Sequence, residues 1–115
     1  MNLLNFLKKK EPRQFENLVV IYPDGTQISQ VNVKTIDDIP NVLLNQGDKG
    51  PLIVRNTNGW SLGFDLKGNI TLSFNNSIIM ISNLIETRKG LDDVERYVGL
   101  LDRGETEELK GKLTA

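Results

Sequence analysis

The chain has 115 residues, 38% hydrophobic and 25% charged, carries a net charge of −1, and contains neither histidine nor cysteine. Such a length supports one hydrophobic core, while the missing residue types exclude histidine-based hydrolytic triads, zinc sites and disulfides. No apolar run approaches the roughly 18 to 20 residues needed to cross a bilayer, the nearest being Ile78-Ile79-Met80-Ile81.

Lys8, Lys9, Lys10 and Arg13 against Glu11 leave residues 1–13 at +3, so the remaining body sums to −4. An acidic body speaks against direct nucleic-acid binding, which needs a basic face on the fold. Leu3, Leu4 and Leu7 fall on one side of a short amphipathic helix that runs into Lys8, Lys9 and Lys10. Two readings stand: a weak membrane-surface contact, or a docked terminal turn. The lysines follow the apolar part and no small-residue cleavage site is present, unlike a secretory signal, so a cytoplasmic protein is expected.

From Leu18 the pattern predicts a hairpin: Leu18 to Tyr22, a turn at Pro23-Asp24-Gly25-Thr26, and a return through Gln27-Ile28. The apolar phase then slips to Val31 and Val33, which predicts a bulge or strand end near Ser29-Gln30. Thr35 to Gln46 carries helix signals, with Thr35 or Asp37 as N-cap, Pro40 in the first turn and Gly47 as the stop. Its expected buried stripe is Ile36, Ile39, Val42 or Leu43, and Leu44; Asp37 and Asp38 read as capping residues.

Residues 50–85 predict a four-strand meander: Pro51 to Arg55, Trp60 to Leu66, Asn69 to Phe74, and Ser77 to Leu84. Glycine and asparagine turns separate the runs. In the second run Trp60, Leu62, Phe64 and Leu66 alternate with Ser61, Gly63 and Asp65, marking a mid-sheet strand with one buried face. Ile78 to Ile81 is apolar at every position, which predicts a strand that is central or covered on both sides. Leu91, Val94, Tyr97, Val98 and Leu101 then define a helix closed by Arg103 and capped by Gly104. Gly99 within it suggests a close approach to the sheet backbone. Residues 105–115 form a polar tail, a short strand or a loose end, with Leu109 and Leu113 as anchors.

The fold class is therefore α+β in one domain, 1–115. A mainly antiparallel meander sheet of about five or six strands carries a short helix near 36–46 and a C-terminal helix near 91–103 packed on it. Gly59, Gly63 and Gly68 have no phosphate-loop spacing and read as turn and sheet glycines. Trp60 and Phe64 read as core, because a stacking platform needs interleaved cations and only Arg55 and Lys67 are near in sequence. No catalysis, cofactor or metal site is expected. Of the fifteen acids, eight follow residue 85: Glu86, Asp92, Asp93, Glu95, Asp102, Glu105, Glu107 and Glu108. They read either as solvated helix surface or as a binding face for a basic partner.

The order of elements carries one resemblance. Val31 to Gln46 followed by Pro51 to Leu66, then Leu91 to Leu109, resembles the immunity proteins of bacterial polymorphic-toxin and contact-dependent inhibition systems, in particular their large first immunity family. The family's proline after the terminal glycine and tryptophan in the last strand have no counterpart in Glu105-Thr106-Glu107-Glu108-Leu109-Lys110. The resemblance implies a non-catalytic inhibitor that binds a cognate toxin, nuclease or deaminase-like, and occludes its basic active-site groove. Glu86, Asp92, Asp93, Glu95, Glu105, Glu107 and Glu108 are then the candidate partner-binding residues. The alternatives are a peripheral membrane adaptor held by residues 1–10, or a phage or virion structural subunit.

Overall fold

The computed structural model describes residues 14–83 and 94–114. The amphipathic segment with Leu3, Leu4, Leu7, Lys8, Lys9 and Lys10 lies outside these residues, as do Glu86, Leu91, Asp92 and Asp93.

Turn chemistry sets the strands. After β1 (Gln14–Phe15), β2 (Leu18–Ile21) and β3 (Gln27–Ile28) close over a turn in which Gly25, at φ +94°, donates its N–H to the Tyr22 carbonyl at 2.9 Å. The strand ends at Ile28, where the apolar phase slips. Val31–Asn32 forms β4, which leaves that sheet and pairs antiparallel with β1. The meander β5 (Leu52–Asn56), β6 (Trp60–Phe64), β7 (Asn69–Phe74) and β8 (Ser77–Asn83) follows the expected boundaries closely. Leu66 falls outside β6, half-exposed in the turn to β7. Asn75 and Asn76 both take left-handed φ in the β7–β8 turn, the conformation that suits a two-residue hairpin loop.

The main sheet is six-stranded and antiparallel, in the order β3-β2-β5-β6-β7-β8. Register carries one apolar row across all of it: Ile28, Val20, Val54, Leu62, Leu72 and Met80. With Leu18, Leu52, Phe64 and Ile70 these side chains face the helices, and most are fully buried. Each such aliphatic burial contributes roughly 1.5–3 kcal/mol before entropy is counted.

Among the described residues four helices cover that face. The segment expected to form one helix near 36–46 forms two: α1 (Val33–Asp37) and α2 (Ile39–Gln46), broken at Asp38 before Pro40. The first starts earlier than predicted because Asn32, not Thr35 or Asp37, is the cap. Asn32 Oδ1 accepts from Thr35 N at 3.0 Å while Thr35 Oγ1 accepts from Asn32 N at 3.3 Å, a reciprocal capping box. Ile36, Ile39, Val42 and Leu43 are buried as expected, but Leu44 is 74% exposed, lying off the apolar stripe. Gly47 is not a left-handed stop; it begins a 3-10 turn, Gly47–Lys49, and Gly50 takes the positive φ.

The third helix, α3 (Val94–Asp102), buries Val94, Tyr97, Val98, Leu100 and Leu101. Gly104, at φ +73°, ends it, with Gly104 N–H on the Leu101 carbonyl and Glu105 N–H on the Leu100 carbonyl. A Cβ at Gly99 would first meet the Arg103 guanidinium at 3.3 Å and no sheet backbone, which corrects the expected close approach. The expected polar tail is neither strand nor loose end. Residues Thr106–Thr114 form α4, and Leu109 and Leu113, one turn apart, are both buried in the core.

Two buried polar side chains join the layers. Asn56 Nδ2 donates to the Leu101 carbonyl at 3.1 Å while its Oδ1 accepts from Asn58 N and Trp60 N, tying the β5–β6 turn to the end of α3. Ser82 Oγ donates to the Leu113 carbonyl at 2.6 Å, fixing α4 over β8.

Candidate protein-binding surface

Strand alternation that sends one set of side chains to the helices sends the other set away from them. That second set forms two rows. One runs Ile21, Ile53, Gly63, Thr71, Ile81, and the other Val19, Arg55, Ser61, Ser73, Ile78, each on its own strand in register. The middle strands β6 and β7 thus present Ser61, Gly63, Thr71 and Ser73, with Asn69 at the start of β7, all partly exposed. Larger side chains flank them: Ile53 and Arg55 on β5, Ile78 and Ile81 on β8. With strands about 4.8 Å apart, the two flanks stand roughly 14 Å from each other, wide enough to admit one helix or an extended loop. The face is a shallow trough with a small-residue floor and mostly apolar walls.

The outer wall departs from the sequence expectation. The run Ile78 to Ile81 was expected in a central or doubly covered strand; β8 instead ends the sheet in its order of strands. Ile78, Ile79 and Ile81 are 63%, 46% and 61% exposed. An irregularity in register contributes: Leu72 faces Met80 but Ser73 faces Ile78, so Ile79 is an extra residue in β8. That bulge puts Ile78 and Ile81, three apart, on the same face of the sheet.

Gly63 is a feature that folding does not demand. It has no left-handed φ, and a Cβ built there would find only ordinary contacts with Thr71, at 3.8 Å from its Cβ and 3.9 Å from its carbonyl. Gly59 is different: at φ +93° a Cβ would run into the Asn75 side-chain oxygen.

The acidic candidates lie elsewhere. Glu95 is exposed on α3; Glu105, Glu107 and Glu108 are exposed at the entry to α4, and the remaining three candidates are outside the described residues. Glu105 is ion-paired with Arg103 at 3.0 Å and Glu107 with Lys110 at 3.1 Å. Glu107 and Glu108 also occupy the first turn of α4, where carboxylates complement the helix dipole. Arg96 and Lys112 are interleaved with them, so α3 and α4 carry mixed charge on the layer opposite the trough. Trp60 is half-buried at the core margin, tilted 47° against Phe74 at 4.8 Å, with Lys110 Nζ 5.4 Å from its ring. Phe64 is fully buried, as expected of core.

Among the described residues no three metal-ligating side chains gather into a cluster, and no helix is long and apolar enough to cross a membrane. No family model matches the chain, and neither curated proteins nor solved structures give a match.

Proposed function

We propose that this protein acts by binding another protein, without chemistry of its own, as an inhibitor that covers the active site of a toxin. The toxin class comes from the sequence resemblance to immunity proteins. The contact surface comes from the trough on β5 to β8, and the observation that carries it is Gly63. A glycine in a central strand, with room for a side chain and no backbone need to lack one, marks a place where another molecule comes close. Apolar walls at Ile53, Ile78 and Ile81 supply desolvation energy to a seated partner, and Arg55 supplies one fixed charge.

A second reading is favoured by the exposure of Glu95 and Glu108: acidic side chains of α3 and α4 entering a basic groove of the toxin. One experiment separates the two. The tagged protein is used to capture its partner from the cells that make it, and the purified pair is then titrated calorimetrically. On the trough reading one toxin-like protein is recovered, and Gly63→Val with Thr71→Arg weakens binding at least about tenfold, roughly 1.4 kcal/mol. Reversal of Glu95 and Glu108 to lysine leaves it unchanged. If the charge reversals weaken binding and the trough variants do not, the contact belongs to α3 and α4; recovery of no partner sinks the inhibitor reading.

A further inference from the structure

The exposed run on β8 raises a question that the trough does not answer. Residues 77–83, Ser-Ile-Ile-Met-Ile-Ser-Asn, form a seven-residue edge strand without a charge or a proline. Sheet edges are ordinarily protected by lysine, by proline or by brevity. The opposite edge shows that protection, since β3 is only two residues long. Among the described residues β8 has a bulge near its start and no strand beyond it, so its outer edge and its isoleucines invite another strand.

We infer that β8 is the surface through which two copies of this chain pair, edge to edge and antiparallel about a two-fold axis, joining their sheets into one. A second copy fits better than an unrelated strand because α4 is charge-complementary to itself in that arrangement. Leu113 is held over Ser82 in the second half of β8. Lys110 reaches Trp60, whose row in the sheet continues through Phe74 to Ser77 at the start of β8. The helix therefore runs in the same direction as β8, and a two-fold axis through β8 sets α4 antiparallel to its copy. Its first turn carries Glu107 and Glu108 and its last turn carries Lys112. The acidic start of each helix then lies toward the basic end of the other. A strand pair alone buries less than the roughly 1,200 Å² expected of a stable interface, and the flanking helices enlarge it. The outer wall of each trough meets its counterpart as an isoleucine ridge, while the floors stay open on the shared face.

The test is sedimentation equilibrium of the full chain across a wide concentration range, with no partner added, so its result is independent of the inhibitor reading. A monomer–dimer equilibrium is expected. Ile79→Lys and Ile81→Lys, at positions already exposed, should raise the dimer dissociation constant at least about tenfold with unchanged circular dichroism. On α4, which leaves the sheet untouched, Glu108→Lys should also weaken the dimer, and adding Lys112→Glu in the same chain should restore it. A chain that stays monomeric at every concentration overturns the inference. So does a dimer that tolerates Ile81→Lys and the α4 reversal but is broken by Ile53→Lys, which would place the contact on the open face.

Discussion

A glycine inside a strand gives up a packed side chain and loses more backbone freedom on folding, at a cost of about 0.5–1 kcal/mol relative to alanine. At Gly59 the backbone returns that cost, because its left-handed φ and the nearby Asn75 leave no alternative. At Gly63 nothing in the fold returns it. Gly63→Val should accordingly raise stability by up to about 1 kcal/mol, read as a higher urea midpoint, even as it fills the trough. The contrasting residue is Asn56, which uses its amide nitrogen and its oxygen to join three backbone groups of two elements. Asn56→Ala removes the side-chain acceptor of the Asn58 and Trp60 N–H groups and leaves the Leu101 carbonyl with the Gly104 N–H, and should cost about 2 to 3 kcal/mol by the same measurement. Asp24 gives a pH-dependent case. The Thr26 N–H, donating to its carboxylate at 2.9 Å, and then the Thr26 hydroxyl hold its pKa below the ordinary value. Its contribution is present above about pH 3.9, the unfolded value, and is lost as pH falls through the lower folded one. The stability difference between the wild type and Asp24→Asn should therefore shrink on acidification through that window.

At the scale of elements, α4 is the part whose role composition concealed. Leu109 and Leu113 are buried beside the helix–sheet core, so Leu109→Ala should cost about 2 to 5 kcal/mol in chemical denaturation, the range for deleting a buried leucine side chain. A solvated tail would show no such loss. The sequence carried one cue, two leucines four apart, but Gly111 and the surrounding charges diluted it. The meander was readable because each of its turns requires glycine or asparagine, and the end of β3 because a period-2 strand cannot absorb the slip from Ile28 to Val31. Thr35 alone looks like a cap in the sequence, but Asn32 and Thr35 cap reciprocally, so α1 starts earlier. The exposure of β8 left no sign in the sequence. An unbroken run of isoleucines looks the same whether a layer covers it or not, and only the strand order places it at an edge.

At the scale of the whole molecule, the described helices gather on one side of the sheet, and among the described residues the strands present a nearly uncharged surface on the other. The charges of α3 and α4 lie on the opposite layer, so the two candidate surfaces differ in kind as well as in place. Salt separates them physically. At 0.1 M ionic strength the Debye length is about 10 Å, and at 1 M about 3 Å, so an exposed carboxylate loses most of its attraction for a basic groove across that range. Burial of isoleucine against an apolar partner does not weaken with salt, because it does not depend on charge. A complex seated in the trough should keep its dissociation constant within about threefold between 0.1 M and 1 M salt, since among the described residues Arg55 is the one charge on its walls, and its binding should show a negative heat-capacity change. A complex made through Glu95, Glu105, Glu107 and Glu108 should weaken by tenfold or more over the same range, chiefly through a slower association rate. Calorimetric titration of the captured partner at the two salt concentrations distinguishes these outcomes without any substitution, and so without disturbing the stability that Gly63 and Asn56 adjust.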